Sequence, residues 1–242
     1  MPYYTSYYYG IDWTYIILVL PCLILSLWAS ARVNSTFKKY SKQISSRGIT
    51  GAQAAQYVLQ SAGVSCVKIE KIAGNLTDHY DPRNNVIRLS QDVYDNSSTA
   101  AIGVACHEAG HAVQYVENYA PIKLRAAIIP ITNFGSKLAM PLILLGLLFS
   151  TIGNFSETII YTGIACFALS LVFQLITLPV EFNASRRALE AIKNENILTK
   201  EEIKGAKNTL SAAAMTYVAA TAVVLAQLLR LLSLFAGRRR ND

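Results

Sequence analysis

Residues 99–117 read TAAIGVACHEAGHAVQYVE, and within them His107-Glu108-Ala109-Gly110-His111 forms an H-E-x-x-H pattern. On an α-helix, residues four apart share a face, so the two imidazoles aim at one point. Neutral imidazole is a good Zn²⁺ ligand, and Glu108 then stands beside the metal as a general base. The stretch has the makings of a helix: Ser97 or Ser98 can cap its start, no proline interrupts it, and Ile102, Cys106, Ala109 and Val113 recur at helical spacing. A lone buried histidine is usually a satisfied core residue. Here two of the chain's three histidines fall in one short pattern, which makes chance a poor explanation.

The surroundings of this stretch are those of a membrane protein. The chain has 242 residues, 52% of them hydrophobic and only 15% charged, with a mean hydropathy of +0.31. Several long apolar runs exceed what a soluble core of this length needs. The net charge of +7 then concerns orientation and anionic lipid before nucleic acid, for which no motif is present. Cys22, Cys66, Cys106 and Cys166 form no C-x-x-C pair and read as isolated reduced thiols. Cys106 adjoins His107, but neighbours on a helix point about 100° apart, so its role is packing.

Residues 1–31 read as an N-terminal membrane anchor: a tyrosine-rich start without Lys or Arg suits the membrane interface, and Trp13 to Ala31 is long enough to span. Arg32, Lys38, Lys39, Lys42 and Arg47 follow at once, which puts the N-terminus outside and the next section in the cytoplasm. That section, residues 32–127, carries the H-E-x-x-H helix. Thr50 with Gln53 forms a capping box for a helix through about Ser61, which Gly63 stops. Residues 64–72, 76–80 and 86–90 read as strands, with turn chemistry over 81–85. Residues 86–90 are a candidate sheet edge for holding an extended peptide, with a plain structural hairpin as the alternative.

Residues 128–180 read as a transmembrane hairpin. Asn133 and Lys137 interrupt its first part, which leaves room for an interfacial approach; Pro141 is a candidate kink, the secure span is about 138–152, and a short outside loop covers 153–157. The return span is Thr158 to Val180. Residues 181–210 form a second, basic cytoplasmic section with another capping box at Thr199 and Glu202. Residues 211–242 hold a fourth apolar run and a basic tail. Whether 212–235 spans or lies in the interface stays open, because alternation would put Arg238 to Arg240 outside, against the charge rule.

Catalytic zinc usually keeps three protein ligands and one open position. The candidates for the third are Glu181, His79 and Glu117. Glu117 sits about 80° off the ligand face of its own helix. Glu181 begins directly after a long apolar run, where a carboxylate is costly unless partnered, and a metal is such a partner. That argument leans towards Glu181. His79 could instead donate a hydrogen bond to an oxyanion.

Leu76-Thr-Asp-His-Tyr-Asp-Pro82, Val86-Ile-Arg-Leu-Ser90, Ala105-Cys-His-Glu-Ala-Gly-His-Ala-Val-Gln114 and Leu178-Pro-Val-Glu-Phe-Asn-Ala-Ser-Arg-Arg-Ala188 give the chain a family likeness. It resembles the YugP-type neutral zinc metallopeptidases of bacterial membranes over nearly its whole length. It is more distantly similar to the HtpX-type membrane proteases, which pair an H-E-x-x-H helix with a later E-x-x-x-D element. The resemblance implies His107, His111 and Glu181 as ligands of one catalytic Zn²⁺ and Glu108 as the catalytic acid/base. Ser185 stands where the HtpX-type aspartate would orient a ligand histidine. Ser185, Arg186 and His79 are therefore candidates for supporting the ligands or an oxyanion.

The expected architecture is a mainly α-helical membrane protein with three to four transmembrane helices and a small cytoplasmic α+β zincin-like unit. The expected activity is that of a membrane-anchored zinc endopeptidase of the gluzincin kind in the bacterial plasma membrane. Its expected partners are polypeptides, membrane or unfolded proteins among them, and the lipid bilayer. An inactive scaffold that keeps the zinc site is the main alternative. An intramembrane protease and a transporter fit less well: Asp92, Asp95, Asn96 and Ser97 before the motif mark its helix as soluble, and the apolar runs lack paired ionisable groups.

Overall fold

The computed structural model describes residues 12–149 and 154–236. The expected interfacial role of residues 1–11 and the sidedness of the basic tail at 237–242 lie outside the described residues. A π-helical turn, Tyr15–Val19, leads into α1 (Leu20–Tyr40). Then come α2 (Gly51–Ser61), β1 (Lys68–Ile72), β2 (His79–Asp81), β3 (Val86–Ser90) and the short α3 (Gln91–Tyr94). Helices α4 (Thr99–Val116), α5 (Ala120–Leu148), α6 (Asn154–Asn194) and α7 (Ile203–Ala236) complete the chain.

Among the described residues, four helices are long and apolar enough to cross a membrane: Tyr15–Tyr40, Ala120–Leu148, Phe155–Asn194 and Ile203–Phe235. The second differs from its sequence reading. It is one helix of 29 residues that carries Pro130 and Pro141 internally, with no separate interfacial approach. Helix α6 begins at Asn154, so residues 154–157 of the expected loop are helical. Helix α6 has 41 residues and passes through Pro179 without a break. At 1.5 Å per residue that is about 60 Å, twice the roughly 30 Å of a hydrocarbon core. One helix is therefore long enough both to span and to carry Glu181 and the following residues beyond the apolar layer.

Contacts divide the chain into two compact units, with boundaries inside α1, α5, α6 and α7. The first takes the described residues of 1–28, 125–176 and 217–242. Its small core joins Ile143 of α5, Ile160 and Ile164 of α6, and Leu231 of α7. Outward-facing Leu27, Phe134, Leu148 and Phe155 leave an apolar surface suited to lipid. Arg230, the one cation deep in the fourth apolar run, is accounted for: its guanidinium binds the Asp12 carboxylate twice and lies 5.3 Å from the centre of the Tyr15 ring.

The second unit takes residues 29–124 and 177–216. Its core is built around Leu59, Ile87, Leu89, Ile102, Cys106 and Ile192. The Thr50 capping box forms as expected, with Gln53 N donating to Thr50 Oγ1 and Thr50 N donating to Gln53 Oε1. Gly63, at φ +69°, closes α2 in a left-handed turn that the sequence marked. The strands are shorter than expected, at 68–72 and 79–81. Leu76 is held at φ +54°, a conformation that cannot continue a strand. The sheet order is β1-β3-β2, with β1 parallel and β2 antiparallel to β3. This corrects the expectation for residues 86–90. They form the central strand, paired on both sides, and the edges are β1 and β2.

Glu202 ties the unit together near the start of α7. One carboxylate oxygen accepts from Thr199 N at 2.9 Å and the other from Ser46 N at 2.7 Å. Burial alone would raise the pKa of this carboxyl, but the hydrogen bonds outweigh it and hold it below the usual carboxylate range.

Candidate metal centre

Helix α4 begins where Ser98 Oγ accepts from Ala101 N at 3.3 Å. Two turns later its face presents His107 and His111, whose rings meet edge to face with centroids 4.7 Å apart. Gly110 lies between them in sequence and faces α6. A Cβ at this position would stand 2.8 Å from the backbone oxygen of Ala184, so only glycine lets α6 come this close. The approach brings in Glu181, whose residue surface is 3% exposed. Glu181 Oε2 is 3.3 Å from His107 Nε2 and 3.6 Å from His111 Nε2.

The three donor atoms lie within 4.8 Å of one another. Zinc bonds of about 2.0–2.1 Å at tetrahedral angles separate ligand atoms by about 3.3 Å, so this donor set fits such an ion in spacing and in chemistry. The histidine tautomers agree. Gln114 Nε2 donates to Val180 O and to Asn183 Oδ1, each at 2.9 Å, which identifies Gln114 Oε1 as an acceptor. His111 Nδ1 therefore carries a proton and donates to it at 3.0 Å, so in the neutral ring Nε2 is the nitrogen available to a metal. His107 Nδ1 lies 3.2 Å from Ser185 Oγ, a hydroxyl able to accept from it. Burial lowers the pKa of His111, yet contact with Glu181 and the negative charge of Glu108 prevail and raise it.

Glu108 faces the sheet. Its Oε2 accepts from Tyr80 N on the edge strand β2 at 2.9 Å. That strand is fixed from one side by Asp78, whose Oδ1 accepts from Ser90 N at 2.7 Å and from Ser90 Oγ at 3.0 Å. Burial raises the pKa of Asp78 and the charge of Glu108 adds to the rise, with the Ser90 donors opposing both. The Tyr80 ring packs on Tyr115 of α4, 5.5 Å between centroids, and burial pushes its phenol up to about 12.

The remaining candidates are placed as follows. His79 is exposed on β2, and its Nδ1 donates to Thr77 O at 2.8 Å. Glu117 pairs with Arg187 at 2.6 Å. Neither belongs to the three-residue cluster. Arg186 has an exposed side chain and pairs with Glu190 one turn on, at 3.3 Å. Cys106 is fully buried in the core, and burial pushes its thiol well above the usual range, which suits packing and not ligation. Sequence reasoning missed Asp78, Gln114 and Asn183. Gln114 carried a legible signal: it is a polar residue three positions after His111, on the same face of a helix whose neighbours are Ala and Val.

Residues 15–236 match a family model described as "Putative neutral zinc metallopeptidase". The chain belongs to this family. It is also 46% identical, over 228 residues, to the "Putative membrane protease YugP" of Bacillus subtilis (strain 168), covering 94% of this chain and 99% of that protein. No solved structure matches the chain significantly. Membership fits an integral membrane protein with four apolar helices and a His-His-Glu group able to hold a metal.

Proposed function

We propose that this family member is a membrane-anchored zinc endopeptidase, with one Zn²⁺ held by His107, His111 and Glu181 and with Glu108 as the acid/base. The observation that carries this reading is the convergence of three metal donors from two helices, next to a buried carboxylate that is not one of them. When bound there, zinc supplies Lewis acidity that acidifies a water and polarises the scissile carbonyl. Glu108 takes the proton of the attacking water on a carboxylate oxygen and passes it to the leaving amine nitrogen. Tyr80 N–H holds the carboxylate in place, and Ser185 and Gln114 hold the ring orientations of His107 and His111. The glutamate in third position makes the site gluzincin-like.

The catalytic section faces the cytoplasm on this reading, in a bacterial plasma membrane and with the N-terminus outside. The cations at 32–47 and 186–207 support that orientation. Membrane proteins and unfolded polypeptides are the proposed substrates, because the enzyme is confined to the bilayer.

The test is direct. Protein purified in detergent should hold about one zinc per chain and cleave an unfolded substrate such as casein, and a strong chelator should abolish the cleavage until zinc is restored. Cleavage that survives full removal of zinc would refute the reading. For orientation, the exposed Cys66 should react with a membrane-impermeant maleimide only after spheroplasts are opened. Labelling of intact spheroplasts at Cys66 would reverse the topology.

A further inference from the structure

Gln114 is fully buried, and every hydrogen-bonding position of its amide that the structure fills is spent on the candidate metal centre. Its Oε1 accepts from His111 Nδ1 at 3.0 Å. Its Nε2 donates to Val180 O, immediately before Glu181, and to Asn183 Oδ1, two residues after it. Asn183 Oδ1 is itself fixed by Arg187 Nε at 2.7 Å, and Arg187 pairs with Glu117 on the turn that ends α4. The chain of contacts therefore runs Glu117, Arg187, Asn183, Gln114, His111, and it crosses between α4 and α6 twice.

We propose that Gln114 is a positioning residue for metal binding, fixing the tautomer of His111 while gripping the backbone beside Glu181. The proposal rests on the metal-site reading above. A primary amide is the side chain that does both jobs. A carboxylate here would accept from His111 but would face Val180 O and Asn183 Oδ1 with no proton to offer. An apolar residue of the same length would do neither, and would leave His111 Nδ1–H and Val180 O facing a group that cannot hydrogen-bond. Histidine ligands are commonly oriented through the second ring nitrogen, and such contacts carry 10- to 100-fold in metal affinity as an order of magnitude.

The experiment compares full-length wild type, Gln114→Met, Gln114→Glu and Asn183→Ala in detergent. Zinc affinity is read by competition with a chromogenic chelator, and coordination by the visible spectrum after cobalt substitution. Gln114→Met should weaken zinc roughly 10- to 100-fold and alter the cobalt spectrum. Gln114→Glu keeps the acceptor for His111 and should recover about half of that loss or more on a logarithmic scale. Asn183→Ala removes one of two grips and should weaken zinc by about three- to tenfold. Wild-type affinity and spectrum in folded Gln114→Met would overturn the proposal, as would a Gln114→Glu affinity no better than that of Gln114→Met. If Gln114→Met does not fold, wild-type affinity in Asn183→Ala overturns it. Failure of the wild type itself to bind zinc would instead sink the metal-site reading.

Discussion

Helix α4 and helix α6 both feed the candidate metal centre, but they place their side chains by different means. His107 and His111 lie one turn apart on a single helix, so helical geometry alone aligns them wherever that helix forms. Glu181 comes from a segment separated from them by two apolar runs, and nothing local aims it. Its position depends on a missing side chain at Gly110, on the passage of α6 through Pro179, and on the amide of Gln114. The α4 half of the site is thus written in the sequence period, and the α6 half is written in packing. Changes to α4 ligands should act by deleting a donor, whereas changes around α6 should act by moving one.

The largest effect expected from breaking this contrast is at the donors themselves. His111→Ala should weaken zinc by more than about a hundredfold with little change in helix content, and Glu181→Gln should come close to it. Chelator competition checks both. Near-wild-type zinc binding by Glu181→Gln would remove α6 from the site and return His79 to consideration.

A smaller but more discriminating effect is expected at Gly110. A Cβ there must push back the α6 backbone at Ala184, so Gly110→Ala should lower stability by about 1–3 kcal/mol and also cost zinc affinity while every ligand remains. Gly103→Ala is the control. Its Cβ would meet Ala206 at 3.2 Å, a milder approach on α7, and zinc affinity should hold. Equal zinc loss in both variants would mean that α6 placement is not specific to Gly110.

The smallest effect lies away from the metal. The Glu202 carboxylate has its folded pKa depressed, so the stability it contributes is present above its unfolded value of about 4.3 and is lost as pH falls through the folded value. Glu202→Gln should lower the apparent melting temperature at pH 7 by an amount matching about 1 kcal/mol, as for loss of a cap. The gap from wild type should close on acidification towards pH 3. A gap that stays constant with pH would show that the ionised form contributes nothing.

What could be read from residues alone follows the same contrast. Capping boxes at Thr50 and Thr199, the helix over the H-E-x-x-H pattern and the apolar runs all depend on neighbours within a few residues, and the structure forms them. Sheet order did not follow, since strand pairing is set by tertiary contacts, and the expected edge at 86–90 became the centre. Gly74 and Asn75 mark a break, but the left-handed conformation falls on Leu76, a residue type that does not announce it. Pro141 suggested a kink, and the long helix α5 runs on through it. The pairing of Arg230, in the fourth apolar run, with Asp12, at the other end of the chain, was equally beyond any local reading.

The most direct test of the central claim compares wild type with Glu108→Gln, purified side by side in detergent. Zinc content is measured by elemental analysis, and cleavage of an unfolded protein by release of soluble peptides. The account predicts about one zinc per chain in both proteins, with cleavage in the variant reduced by roughly 10²- to 10⁴-fold. Undiminished cleavage by Glu108→Gln at full zinc occupancy would contradict it.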